Sequence, residues 1–152
     1  MNVEIKNMPR LRIGAVHHVG PYSTISKAFE QLGRFLGRAG MSGPAEMVAI
    51  YYDDPRGTPP DKLHSDAAIV LAAGVPLPSG LAEQHIPAGP YASTVYVGPY
   101  DGLGDAWMEL MNEWMPTSGH KMGAGFSYEV YLNNPMDTPK DQLRTELRMP
   151  LA

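Results

Sequence analysis

The residue of this sequence best placed to do chemistry is a single carboxylate in an aromatic strand. Glu129 stands in Phe126-Ser127-Tyr128-Glu129-Val130-Tyr131-Leu132. Alternate side chains of a strand point to opposite faces. Ser127, Glu129 and Tyr131 therefore share one face, and the apolar set Phe126, Tyr128, Val130 and Leu132 is expected to cover a helix on the other. A carboxylate between ring faces suits a lipophilic cation, because rings attract positive charge and a buried carboxylate is costly unless paired. The plain alternative is a wet face, on which a glutamate needs no explanation.

An internal repeat says what positions this strand. Val19-Gly20-Pro21-Tyr22 recurs as Val97-Gly98-Pro99-Tyr100, an offset of 97 − 19 = 78, and Met8-Pro9 recurs as Ile86-Pro87. Pro55, Thr58-Pro59, Asp61 and Leu63 recur as Pro135, Thr138-Pro139, Asp141 and Leu143, an offset of 135 − 55 = 80. The repeats run about 3–71 and 81–151 within a single domain, 1–152, with the Pro- and Gly-rich Gly74–Gly80 as connector. The strand Met47–Tyr52 is the counterpart of the one bearing Glu129. It sets Val48, Ile50 and Tyr52 toward the core and Ala49 and Tyr51 toward the face of Glu129.

Each repeat reads as strand, helix, strand, strand, with a short lead-in strand (Val3–Lys6; Leu81–Gln84). The next strand (Ile13–Val19; Ala92–Val97) ends at Gly-Pro-Tyr, after which Ser23 or Asp101 is placed to cap a helix. Ile25, Phe29, Leu32 and Leu36 form one apolar stripe; Leu103, Trp107, Leu110 and Trp114 form its counterpart. Gly40 and Pro116 are expected to stop the helices. Two strands close each half, Met47–Tyr52 with Ser65–Leu71 and Phe126–Leu132 with Arg144–Met149. Strand runs with one helix each indicate an α+β fold. The expected architecture is a tandem pseudo-two-fold repeat with mostly antiparallel sheets and a groove between the halves.

Composition excludes several functions. The chain has no cysteine, hence no disulfide, thiolate metal site or cysteine nucleophile. Its 16 acidic and 12 basic side chains give a formal charge of −4, the wrong sign for phosphate neutralisation. The small basic spot of Arg34 and Arg38 is read as solvated surface, so no direct nucleic-acid partner is expected. The start lacks an export signal and no apolar run spans a bilayer, so a cytoplasmic location away from membranes is expected. Histidines 17, 18, 64, 85 and 120 include no pair at i, i+4 on one helix, and His17 and His18 point to opposite faces of a strand. No metal and no cofactor is expected. Trp107 and Trp114 are read first as core, Asp66 and Glu146 as strand-end partners for backbone or arginine.

These blocks together resemble the GyrI-like family, which includes stand-alone DNA gyrase inhibitors and effector-binding domains of AraC- and MerR-type regulators. The matching segments are Val19-Gly20-Pro21-Tyr22, Tyr51-Tyr52-Asp53-Asp54-Pro55, Tyr128-Glu129-Val130-Tyr131-Leu132-Asn133-Asn134 and Glu146-Leu147-Arg148-Met149-Pro150-Leu151. The resemblance implies a stand-alone small-molecule binder, because the two repeats leave no room for a helix-turn-helix. It implies a groove-floor glutamate for cationic drugs at Glu129, with Tyr131, Tyr51, Ala49 and Trp107 as ligand-binding neighbours. It implies sequestration of lipophilic or cationic toxins, with DNA gyrase as a second partner. A further branch resembles hydrolases that open cyclopropane rings of genotoxins. In that reading Glu129 and Tyr131 are catalytic, Glu129 as general base on a water and a tyrosine hydroxyl polarising the substrate carbonyl.

Overall fold

The computed structural model describes residues 1–41 and 45–152. In chain order its strands are β1 Glu4–Met8, β2 Leu11–Val19, β3 Met47–Tyr51, β4 His64–Val70, β5 Ala82–Ile86, β6 Gly89–Val97, β7 Ser127–Tyr131 and β8 Arg144–Pro150. The helices are α1 Ser26–Arg38, α2 Leu103–Glu109 and α3 Met115–Ser118. The fold is α+β, with antiparallel pairing throughout the described ladders. Among the described residues no helix is long and apolar enough to cross a membrane.

The chain forms two compact units, Arg10–Pro87 and Met1–Pro9 with Ala88–Ala152. In Arg10–Pro87 the strand order is β3-β4-β2-β5, and in the other unit it is β1-β6-β8-β7. The lead-in strands are exchanged between the sequence repeats. β1 pairs with β6, from Glu4↔Ser93 to Met8↔Gly89, and β5 pairs with β2, from Leu11↔Ile86 to Ala15↔Ala82. The unit boundaries fall at Pro9 and Pro87, the prolines that recur in the sequence. A proline has no N–H to give a ladder, so pairing stops there. The segment Gly74–Gly80 lies inside the Arg10–Pro87 unit, where Val75 packs against the core under α1.

That core gathers Ala28, Leu32 and Leu36 of α1 with Val16, Ala67, Ile69, Leu71 and Leu81, and Ile25 and Phe29 pack against it. Leu32 is fully buried, and burying a leucine stabilises by roughly 1.5–3 kcal/mol. The other unit repeats the design with Leu103, Ala106 and Leu110 over Ala92, Leu147 and Met149. Of the helical stripes expected from spacing, Leu32, Leu36, Leu103 and Leu110 are buried, and Ile25, Phe29, Trp107 and Trp114 pack against them half-buried.

The helix ends differ from expectation. Neither helix takes a side-chain cap from Ser23 or Asp101; each is entered through a 3-10 turn, Tyr22–Thr24 or Tyr100–Gly102, whose backbone bonds do that work. Gly40 does end α1, at φ 69°. Pro116 does not end the second helical run. It sits in the first turn of α3, after the π-helical stretch Leu110–Trp114. Proline can give no hydrogen bond to the preceding turn, and the wider stretch lies just ahead of it. Gly119, left-handed at φ 78°, closes the run.

The faces of the strands also differ from expectation. Glu129 is opposite Leu147 and Tyr131 opposite Thr145, whereas Tyr128 is opposite Arg148 and Val130 opposite Glu146. Leu147 belongs to the core under α2, so Glu129 and Tyr131 face the helix while Tyr128 and Val130 face away. Likewise Ala49 is opposite Ala67 of the α1 core, and Val48 is opposite Ala68. The reason is that both sheet faces are buried: Val48, Ile50, Tyr128 and Val130 are at most 1% exposed. Alternation assigns residues to the same face correctly, but apolarity cannot say which face lies under the helix.

Candidate functional site

Strand β7 and helix α2 build the site from within one unit. Glu129, in the middle of β7, is 2% exposed. Its Oε1 accepts the indole N–H of Trp107 on α2 at 2.7 Å, and its Oε2 accepts the Tyr131 hydroxyl at 2.8 Å. Both oxygens thus act as acceptors, the arrangement that suits an ionised carboxylate. Trp107 also packs on the core around Leu103 and Leu110, so one side chain serves packing and the carboxylate together.

A residue that spacing did not single out completes the ring wall. Tyr100 meets Tyr131 edge-on, with ring centroids 5.4 Å apart. Burial, and then the charge of Glu129, push the Tyr100 phenol above its usual 10.0. Gly98 and Pro99 set this tyrosine in place. The Gly98 N–H donates to the Leu143 carbonyl at 2.8 Å, with φ at 146°, where a side chain fits badly. The repeated Val-Gly-Pro-Tyr was the available signal, because both copies serve the same end. In the other unit Tyr22 meets Tyr51 with centroids 4.6 Å apart and planes tilted by 56°, and Tyr22 also bonds the backbone of Asp53.

Of the residues expected at the site, Glu129, Tyr131 and Trp107 are brought together. Tyr51 and Ala49 lie on β3 in the Arg10–Pro87 unit, in the places corresponding to Tyr131 and Glu129. Ala49 is fully buried against the α1 side of its sheet. The acid therefore stands where the first repeat has an alanine.

Glu146 takes the other expected role. Its Oε2 accepts from Arg148 at 2.6 Å and Ser93 at 2.8 Å, on the face away from α2. A cleft of about 470 Å³ also opens on this unit, lined by Thr94, Val95, Val97, Asp105 and Glu109 among others. Asp105 is exposed and Glu109 partly so, and hydrated charges attract a ligand far less than a desolvated one. The carboxylate under Trp107 is the stronger feature.

The GyrI-like small molecule binding domain matches residues 1–152. The chain belongs to this family. The DNA gyrase inhibitor of Escherichia coli (strain K12) is 34% identical over 138 residues, covering 88% of this chain and 87% of that protein. The DNA gyrase inhibitor of Yersinia enterocolitica is 36% identical over 135 residues, covering 86% and 85%. Among solved structures, the EcmrR C-terminal domain superposes on this GyrI-like chain with a TM-score of 0.82 at 20% identity, covering 99% of this chain and 97% of that one. A structure bound to tetraphenylphosphonium gives 0.66 at 12% identity, covering 100% and 94%. At these identities the structures establish the shared fold. The GyrI-like family in turn makes this chain a small-molecule binding domain.

Proposed function

We propose that this protein binds lipophilic organic cations at Glu129, and that it protects the cell by sequestering them. The observation that carries the reading is a carboxylate 2% exposed whose oxygens are held by an indole N–H and a phenol O–H. The indole and phenol donors orient the carboxylate beside the rings of Trp107, Tyr131 and Tyr100, where a cation would meet ring faces and a desolvated acid together. The family's small-molecule role and the tetraphenylphosphonium complex of a structural relative support the same class of ligand.

Titration with tetraphenylphosphonium, followed by tryptophan fluorescence in a Trp114→Phe background, tests this. Saturable quenching is expected, with at least a tenfold loss of affinity in Glu129→Gln. Equal affinity in the two proteins would remove the proposal. The names of the 34–36% identical relatives favour DNA gyrase as a second target. A supercoiling assay that responds at near-stoichiometric protein supports that role, and an unaffected cognate gyrase counts against it. Hydrolysis by Glu129 is separated in the same way: product many-fold above protein means turnover, and one equivalent taken up means binding.

A further inference from the structure

Away from Glu129, two histidines of the Arg10–Pro87 unit are held alike. His17 on β2 is directly opposite Asp66 on β4, and its Nδ1 lies 2.7 Å from Asp66 Oδ1. Asp66 is fully buried, and its other oxygen accepts the Tyr52 hydroxyl at 2.5 Å. His64 precedes Asp66 by two residues, so the two side chains leave β4 on the same face. The Nδ1 of His64 lies 3.0 Å from Asp53 Oδ2, an oxygen that also accepts the His64 backbone N–H at 2.6 Å. The two imidazoles stack at 5.6 Å between centroids and 24° between planes. Their side chains are 50% and 47% exposed.

We propose that His17 and His64 together bind a divalent transition-metal ion through their Nε2 atoms. A carboxylate on Nδ1 fixes the proton there, which makes Nε2 the lone-pair nitrogen of the neutral ring. It also holds the ring in one orientation, as carboxylates behind metal-bound histidines do. The spacing fits. With metal–nitrogen bonds of about 2.0–2.1 Å, two imidazoles on one tetrahedral ion have ring centres roughly 5 Å apart. The centroids here are 5.6 Å apart, and the rings must turn out of their stacked arrangement for both Nε2 lone pairs to meet one ion, a movement open to half-exposed side chains.

Among the described residues no cluster of three or more histidines, cysteines or carboxylates is arranged to hold a metal. Water or a small exogenous ligand fills the remaining positions, so the site is open and of moderate affinity. Cu²⁺ is favoured over Ni²⁺ and Zn²⁺ by the usual order. The sequence expectation of no metal rested on spacing within single elements. This pair arises only because β2 and β4 lie side by side.

Calorimetric titration of the full chain with Cu²⁺, paired with electron paramagnetic resonance, is the test. One equivalent should bind with two nitrogen ligands. Affinity should fall at least tenfold in His17→Ala and in His64→Ala, and about tenfold in Asp53→Asn, which removes the support behind His64. His18→Ala serves as the control, because His18 Nε2 is turned to Thr24 Oγ1 at 2.9 Å. Unchanged binding in either His17→Ala or His64→Ala overturns the proposal, as does a one-nitrogen spectrum or no saturable uptake. Circular dichroism establishes that each variant is folded before its affinity is compared.

Discussion

The indole Nε1 of Trp107 lies 2.7 Å from Oε1 of Glu129, tying α2 to the strand beneath it. A helix covering a sheet ordinarily offers only apolar contact at such a place. Here one tryptophan of the stripe turns its edge donor to the one acid of the strand below. Each accounts for the other: Trp107 is usable at a half-buried position because its N–H finds a partner, and Glu129 is tolerated because its oxygens find donors.

Trp107→Phe keeps a ring in the stripe and removes the donor. A hydrogen bond to a charged group contributes about 1.5–3 kcal/mol. Urea unfolding should show a loss of that size for Trp107→Phe and a smaller loss for Trp114→Phe. Trp114 packs on the same core and stacks on His120, with ring centroids 6.0 Å apart. Equal losses in the two variants would mean that the Glu129 contact adds nothing to packing.

Two glycines should respond in opposite directions to alanine. Gly33 lies inside α1 and a Cβ there would meet nothing within 4 Å. Gly33→Ala should stabilise by about 0.5–1 kcal/mol, because alanine loses less backbone freedom in a helix. Gly98 has φ of 146°, and its Cβ would come within 2.9 Å of the Tyr96 hydroxyl. Gly98→Ala should cost more than about 1 kcal/mol. Thermal melts of the two variants on opposite sides of the wild type are the expected result.

The repeat made most of this architecture readable from sequence. Val-Gly-Pro-Tyr appears twice because each copy turns the chain from a long strand into a helix and seats a tyrosine against the facing strand. The helix stripes were readable because Leu32 and Leu110 recur at helical spacing and are buried for that reason. What sequence could not supply was the orientation of the sheets. Tyr128 and Glu129 are both buried, one on each face, so hydrophobicity gave Glu129 the wrong side. Tyr100 went unnoticed as a site residue because its value lies in contact with Tyr131, a contact set by folding rather than spacing. The same holds for His17 and His64, which only strand pairing brings together.

Alkaline titration should report on Tyr52. Burial first, and then the hydrogen bond to and charge of Asp66, raise its phenol well above the usual 10.0. Above that value the unfolded chain loses this proton before the folded one does, so the native state binds more protons and stability falls as pH rises. The contribution is whole below about pH 10 and is lost as pH climbs toward the raised folded value. Tyr52→Phe should lower the melting temperature at neutral pH by removing a donor to Asp66, yet show a shallower decline from pH 9 to 11. A parallel decline in both proteins would assign the alkaline limb to other groups.

The acid limb should belong in part to Glu146. Burial pushes its carboxyl up, but hydrogen bonds from Arg148 and Ser93, and the charges of Arg148 and Lys6, outweigh that and hold it below the usual 4.5. Between the lowered folded value and 4.5 the unfolded chain binds more protons than the native one, so stability rises with pH across that window. The contribution is complete above about pH 4.5 and disappears as pH falls through the folded value. Glu146 and Arg148 are 5% and 7% exposed, and removing one member of a buried pair leaves the other charge without its partner. Glu146→Gln should therefore cost about 3–5 kcal/mol at neutral pH. Glu146→Gln with Arg148→Met should recover much of that loss, because no buried charge is then stranded. The double variant should also lose less stability than the wild type between pH 5 and 3. Denaturant midpoints across that range decide the matter: recovery with a flattened acid limb supports the pair as the acid-sensitive element, and a double variant as weak as the single one rejects it.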